Sequence, residues 1–290
     1  MYELQQVGEH SFYVQSPAKI GIVRLNDRDV CLIDSGSDKE AGRKVRQILD
    51  SHNWNLTAIY NTHSNADHIG GNHYLQGQTQ CKIFAPGIEC DFTNSPLLEP
   101  AFLYGGFPPK ELRHKFLMAQ ESKAEELDEL PGGMSRIPLP GHFFDMVGYR
   151  VEDEVVYLAD CLSSRETLEK YKIGFIYDVA AYLNTLAMVK DLKAAMFVPA
   201  HAEATEEIAP LAQFNIEQVL EIAQRIVEIC KEPICFEQVL QQLFNAYDLT
   251  MNFEQYVLVG STVRSYLAWL KDTERVEVLF ENGLLLWRRK

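Results

Sequence analysis

The sequence predicts a layered α/β domain followed by a helical C-terminal region. Three observations carry that expectation. Short strand-like and helix-like runs alternate over roughly the first 205 residues, several of the strands finish in Asp or His, and beyond Thr205 the apolar spacing turns helical. In layered α/β folds the loops at strand ends carry the chemistry, so those endings mark where a site is expected.

Residues 10–34 read as paired strands. Segments 10–14, 20–25 and 30–33 alternate in the two-residue rhythm of a sheet, with a turn at Asn26-Asp27-Arg28-Asp29. A helix is expected from Ser37-Asp38 to about Asp50. Residues 56–60 form a short strand that delivers Asn61-Thr62-His63, and residues 81–85 form another, closed by Pro86-Gly87. The stretch 99–130 differs in character. Its Gly/Pro-rich part, 103–109, is expected to lead into a charged helix, an insertion that reads equally as a lid or as a surface excursion. Residues 151–158 are read as a hairpin whose second strand ends at Ala159-Asp160, and 196–199 as a strand ending at Ala200-His201. Residues 208–231, 236–243 and 256–270 read as helices. The segments 276–280 and 284–287 then read as a hairpin about Asn282-Gly283, and helices followed by such a wing resemble a winged-helix module.

Composition is that of an ordinary globular protein, with 47% hydrophobic and 23% charged residues. A formal net charge of −14 argues against broad association with nucleic acid or an anionic membrane, which needs a basic footprint. No apolar run approaches the ~18–20 residues of a membrane helix. Met1-Tyr2-Glu3-Leu4 lacks the basic start and apolar stretch of a signal peptide, so the cytoplasm is the expected compartment. The six cysteines, Cys31, Cys81, Cys90, Cys161, Cys230 and Cys235, show no disulfide or zinc-knuckle spacing and are expected to be buried reduced thiols.

The chemistry concentrates in Thr62-His63-Ser64-Asn65-Ala66-Asp67-His68-Ile69-Gly70-Gly71. Imidazole and carboxylate are donors suited to zinc or iron, and the Gly-Gly allows a tight turn into a helix. Alone, such a cluster reads almost as well as a polar loop capping a helix. Three further pieces share its context: Gly141-His142 at a strand-to-loop junction, and Leu158-Ala159-Asp160 and Pro199-Ala200-His201 at strand ends. With Leu32-Ile33-Asp34-Ser35-Gly36, the five pieces resemble the metallo-β-lactamase superfamily. Its signature is an HxHxDH loop, a single His, a bridging Asp and a last His, here spread over about residues 10–205. His10, His52, His73 and His114 lie outside this pattern.

The resemblance implies a four-layered αββα sandwich over residues 1–205 as the metal-binding catalytic domain. Residues 206–290 would form the winged-helix-like module, as in glyoxalase II-like and ribonuclease-like branches. It also implies two adjacent metal positions, one using His63, residue 65 and His142, the other Asp67, His68 and His201, with Asp160 bridging and Asp34 in support. Where the family has its second His, this chain has Asn65, a neutral and weaker donor.

Three outcomes stay open: a binuclear site with Asn65 as a poor ligand or as a hydrogen-bonding group, a single ion at the second position, or iron at His63, His142 and Asp160. The last set resembles that of the persulfide dioxygenase branch. Zinc is the expected cofactor, one or two ions, with iron or manganese as alternatives. The implied function is hydrolysis of a small ester, thioester, lactone or amide by a metal-bound hydroxide that Asp67 and Asp160 hold and orient. An iron-dependent oxygenase and a metal-dependent nuclease are the alternatives. Residues 205–290 carry 8 Lys/Arg against 13 Asp/Glu, which supports neither glutathione binding nor nucleic-acid binding. The expected partner is a small molecule, with no membrane and with a homodimer left open. Tyr104, Phe107, Phe143, Phe144, Phe175 and Tyr177 are expected as an apolar wall at the mouth, and Cys161 as structural.

Overall fold

The computed structural model describes residues 2–290. Its first sheet has seven strands in chain order: β1 (Glu3–Gln6), β2 (Ser11–Gln15), β3 (Ile20–Arg24), β4 (Asp29–Ile33), β5 (Asn55–Tyr60), β6 (Lys82–Ala85) and β7 (Ala124–Glu126). The strands pair antiparallel from β1 to β4 and parallel from β4 to β7. At the β3–β4 turn the Asn26 side chain accepts from the backbone N–H groups of Arg28 and Asp29, as the Asn/Asp turn suggests. Parallel neighbours need crossovers. Helix α1 (Lys39–Ser51) joins β4 to β5, and α2 (Ala66–Ile69) and α3 (Asn72–Thr79) join β5 to β6. Asp38 caps α1 by accepting from Ala41 N–H at 3.0 Å. Helices α4 (Ile88–Asn94) and α5 (Leu98–Tyr104) follow β6.

The second sheet, ordered β11-β10-β9-β8, comprises β8 (Ser135–Pro138), β9 (Val147–Arg150), β10 (Val155–Ser163) and β11 (Met196–His201). Between β10 and β11 run α6 (Arg165–Tyr171) and α7 (Val179–Asp191), which the sequence patterns do not mark. The chain ends with α8 (Ala209–Ile229), α9 (Phe236–Ala246), α10 (Phe253–Asp272) and the hairpin β12 (Val276–Glu281) and β13 (Leu284–Arg289). Asn282 and Gly283 both take positive φ there, the conformation a two-residue hairpin turn demands.

Central strands bury both faces, and this makes the layers. On β4, Val30 and Leu32 pack with Ala41, Val45, Leu49 and Leu75 of the outer helices, whereas Cys31 and Ile33 face the other sheet. On β10, Val155 and Tyr157 join that inter-sheet core, while Val156 and Leu158 pack with α7 and the C-terminal helices. Helix, sheet, sheet and helix stack as the expected four-layered αββα sandwich.

Three expectations change. Residues 110–123 form a single 3₁₀ turn (Lys110–Leu112) and irregular chain instead of a charged helix. Leu112, Leu117 and Ala119 are buried although the chain around them is irregular, and β7 adds to the edge of β6, so tertiary contacts override helix propensity. The hairpin before Asp160 is formed by β9 and β10 with its turn at 151–154, and β10 continues past Asp160 to Ser163. All six cysteines are unpaired; four are buried, while Cys90 and Cys235 are only partly so. Among the described residues, no helix is long and apolar enough to cross a membrane.

Candidate metal centre

Strand ends deliver the chemically active side chains. Beyond β5 the chain runs through His63 into α2, which carries Asp67 and His68 in its single turn. Val147 N–H donates to the Thr62 carbonyl at 2.9 Å, fixing this loop beside β9. Gly70 and Gly71 keep ordinary helical dihedrals, so their role is space and not the tight turn expected of them. A Cβ at Gly71 would lie 2.3 Å from the Ser35 carbonyl oxygen. Gly141, at φ +120°, lets His142 pass against α7, where a Cβ would come 2.2 Å from the Tyr182 nitrogen. In β10 the register with β11 shifts at Ala159, which takes φ +49°. This bulge turns Asp160 toward the histidines, while Cys161 packs among the helices on the opposite face.

Four imidazoles share one pattern: Nδ1 is tied outward and Nε2 points inward. His68 Nδ1 donates to Asp34 Oδ2 at 2.7 Å, His201 Nδ1 to the Pro17 carbonyl at 3.0 Å and His142 Nδ1 to the Phe175 carbonyl at 3.0 Å. Thr62 Oγ1 donates to Asp34 and so accepts from His63 Nδ1 at 2.9 Å. Such outer partners fix the ring and tautomer of metal-binding histidines. Asp160 is where the inward atoms converge: Oδ1 lies 3.0 Å from His68 Nε2, and Oδ2 lies 3.1 Å from His201 Nε2 and 3.6 Å from His142 Nε2. Asp67 Oδ2 is 3.3 Å from His201 Nε2. Two sets result, Asp67, His68, Asp160 and His201, and His63, His142 and Asp160, each with donor atoms within 4.8 Å of one another.

These donors fit a cation. His63 Nε2 is buried with no hydrogen-bond partner, and His68 Nε2 and Asp160 Oδ1, buried 3.0 Å apart, have no partner beyond each other, whereas interior polar atoms are ordinarily paired. Burial holds His63 and His142 below the usual imidazole range, with repulsion from His68 adding to the effect. Burial pulls His68 and His201 the same way, but the carboxylates of Asp160 and Asp67 outweigh it and raise both, His201 to about 10. At Asp67 and Asp160, burial favours the neutral acid and the facing imidazoles overcome it, keeping both ionised. Positive charge is what the centre of this cluster favours.

Asn65 stands at the N-cap position of α2 yet makes no capping hydrogen bond, which removes the plain helix-cap reading of the loop. Its Oδ1 lies 3.2 Å from His142 Nε2. The sequence reading missed two carboxylates that clasp this loop. Glu89 of α4, fully buried, accepts from Ser64 N–H and Oγ–H and from Asp145 N–H, tying the His63 loop to the His142 loop. Glu99 of α5 accepts from Asn65 Nδ2 and Ala66 N–H. An acidic residue in the first turn of a short helix is too common to single out. His73 bonds the Glu121 carbonyl outside the cluster.

A pocket of about 480 Å³ opens above Asp67, His142, Asp160 and His201. Of the six aromatics expected at the mouth, only Phe175 lines it. Phe143 is fully buried beside His63, and Phe107 projects into solvent at 72% exposure. The apolar wall is built by Leu103, Phe116, Leu117, Leu258 and Val259 instead. No Lys or Arg lines this pocket among the described residues.

Sandwich and cluster together define an αββα fold with a candidate metal centre, and comparison with known proteins gives it a family. The sequence profile of the metallo-beta-lactamase superfamily matches residues 15–201, and the chain belongs to that superfamily. Among curated relatives, the hydroxyacylglutathione hydrolase of Nitrobacter hamburgensis is 30% identical over 126 residues, and that of Rhodospirillum rubrum 31% over 88. The first match covers 43% of this chain and 41% of the relative, so the chain spans about two-fifths of that relative's length. A beta-lactamase domain protein from Burkholderia ambifaria superposes with a TM-score of 0.72 at 16% identity, over 99% of this chain and 94% of that one. A metallo-beta-lactamase family protein from Thermus thermophilus gives 0.73 at 14% identity, over 97% and 98%. These structures share the fold along nearly the whole chain.

Proposed function

We propose that this protein is a metal-dependent hydrolase of a small ester, thioester, lactone or amide. Its cation would be zinc, held by Asp67, His68 and His201 at one position and by His63, Asn65 and His142 at the other, with Asp160 shared. The observation that carries this reading is the convergence of His68, His142 and His201 Nε2 on the single carboxylate of Asp160. A divalent cation held by these residues would supply Lewis-acid polarisation of a carbonyl and a water that ionises at roughly pH 7. The remaining work belongs to the chain. Asp160, 11% exposed, keeps the imidazoles in fixed spacing. Asp67, at 38%, is a more exposed carboxylate than Asp160 among those lining the pocket, and it accepts the hydrogen bond of the attacking water and orients it. As the acyl C–O, C–S or C–N bond breaks, the proton released by that water goes to the leaving atom. The C-terminal module, winged-helix-like in its order of helices and hairpin, contributes Leu258 and Val259 to the substrate wall.

The names of the curated relatives support a thioester among the candidates. A pocket wall without Lys or Arg favours an uncharged acyl group over glutathione conjugates or nucleic acid. A second reading, an iron-dependent oxygenase, draws on His63, His142 and Asp160 as a separate set of two imidazoles and one carboxylate. Metal analysis of protein purified without added metal separates the two. Zinc or manganese at about one to two ions per chain, with turnover of an ester, thioester or lactone panel, supports hydrolysis. Stoichiometric iron with oxygen uptake on a persulfide overturns it. Asp160→Ala is expected to abolish turnover and remove most of the metal.

A further inference from the structure

Position 65 is where this chain leaves the HxHxDH signature, and the structure supplies that position with a partner from outside the loop. Glu99, in the first turn of α5, is 5% exposed. Its Oε1 lies 2.9 Å from Asn65 Nδ2 and its Oε2 lies 3.1 Å from Ala66 N. Burial pulls Glu99 toward the neutral acid, and the donors of Asn65 and Ala66 pull it toward the carboxylate. A backbone N–H can only donate and an ionised carboxylate can only accept, so opposite the ionised group the NH₂ of Asn65 turns toward Glu99 and its carbonyl oxygen turns away. That oxygen points at His142 Nε2, 3.2 Å off. The His142 Nδ1 proton is committed to the Phe175 carbonyl, so Nε2 presents a lone pair. Asp160 Oδ2 stands 3.6 Å from the same nitrogen, and His63 Nε2 is buried nearby without a partner. Lone pairs therefore meet lone pairs, an arrangement that a cation among them relieves.

We propose that Glu99 is a positioning residue that turns Asn65 so its carbonyl oxygen serves as a metal ligand, completing a position with His63, His142 and Asp160. The proposal rests on the metal-dependent reading above. Donation from Nδ2 to a carboxylate also shifts electron density onto Oδ1, which improves a donor otherwise weaker than imidazole. The position lined by Asp67, His68, Asp160 and His201 has no ligand side chain hydrogen-bonded to Glu99 and binds the tighter ion.

Chelator-stripped protein titrated with Zn²⁺ by calorimetry, and with Co²⁺ by visible absorption, tests this without any turnover. The parent is expected to show a tight and a weaker step. A carboxamide at 99 has one acceptor oxygen and cannot receive both Asn65 Nδ2–H and Ala66 N–H. Glu99→Gln is therefore expected to weaken the second step about 10–100-fold, change its Co²⁺ spectrum and leave the tight step alone. Asn65→Ala should cause the same loss, and the double variant no further loss, because Glu99 acts through Asn65. If Glu99→Gln fails to fold, Asn65→His serves in its place: imidazole donates its own Nδ1–H to Glu99 and should strengthen only the weaker step. Both steps unchanged in Glu99→Gln, both weakened alike, or additive losses in the double variant would overturn the proposal and leave the hydrolase reading standing. A parent that binds no metal at all would overturn the hydrolase reading as well.

Discussion

Replacing Asp34 by Asn tests how the fold holds its metal-facing imidazoles. Asp34 follows β4 with φ +63°, a conformation that asparagine tolerates, so the backbone has little reason to move. Its carboxylate accepts three hydrogen bonds: Thr62 N–H on Oδ1 at 2.8 Å, and Thr62 Oγ1–H and His68 Nδ1–H on Oδ2, both at 2.7 Å. An amide offers one oxygen. Whichever way it turns, its NH₂ meets a donor: Thr62 N–H if the amide oxygen keeps the Oδ2 place, His68 Nδ1–H if it keeps the Oδ1 place. A lost hydrogen bond to a charged acceptor, with one buried donor left unpaired, costs roughly 3 kcal/mol. For a 290-residue chain, whose unfolding entropy is roughly 0.6 kcal/mol/K, that lowers Tm by about 5 °C. Thermal unfolding followed by circular dichroism in chelator isolates this term, and metal content of the untreated protein reads the second effect, an affinity loss of about 10-fold or more as His68 exchanges its charged outer partner for a neutral amide. Asp34→Asn melting with the parent in chelator, and keeping its metal, would refute the claim that Asp34 sets the His68 ring.

Three further outcomes follow from particular contacts. Gly71→Ala pushes a methyl against the Ser35 carbonyl and should cost about 1–3 kcal/mol in urea unfolding although its dihedrals suit alanine, so a neutral result would mean the loop can shift. Burial raises the Glu89 carboxyl from 4.5 to about 7, against the hydrogen bonds from Ser64 and Asp145 that favour its charged form. An acid held more tightly in the folded chain stabilises the fold below about pH 4.5, and that contribution is lost as pH rises toward 7. Urea unfolding in chelator should therefore show the parent losing up to ~1.4 kcal/mol per pH unit relative to Glu89→Gln across this window, and a constant difference would count against it. Leu258→Ala removes apolar wall from the pocket and should raise KM for a hexanoyl ester about 5–20-fold with little change in kcat; equal effects on an acetyl ester would place the acyl chain elsewhere.

Much of the scaffold was legible because its causes are local. The alternation over residues 10–34, the Asp38 cap and the Asn282-Gly283 turn each act within a few residues, and the structure realises them. The motif residues were legible through residue type and place: His63, Asp67, His68, Asp160 and His201 stand at or near strand ends, where unpaired donors are rarely accidental. Local propensity misled over residues 110–123, where a charged, helix-favouring composition is held irregular by the burial of Leu112, Leu117 and Ala119. The aromatic wall failed for a similar reason. Phe143 and Phe144 pack on Phe92 and Phe102 behind the loop, leaving the mouth to Phe116 and to Leu258 of α10.

The sequence by itself determined the paired strands of residues 10–34, the C-terminal helices with their hairpin, the imidazoles and carboxylates that the structure brings together, and the one position, Asn65, where that set departs from its signature. Only the tertiary structure decided that Ala159 bulges to aim Asp160, that Glu89 and Glu99 hold the histidine loop from 25 and 33–34 residues away, and that α10 closes the pocket. The reason is physical. Periodicity and capping are satisfied by neighbours in the chain, whereas a buried carboxylate or an inward-facing imidazole takes whichever partner the packed layers bring to it.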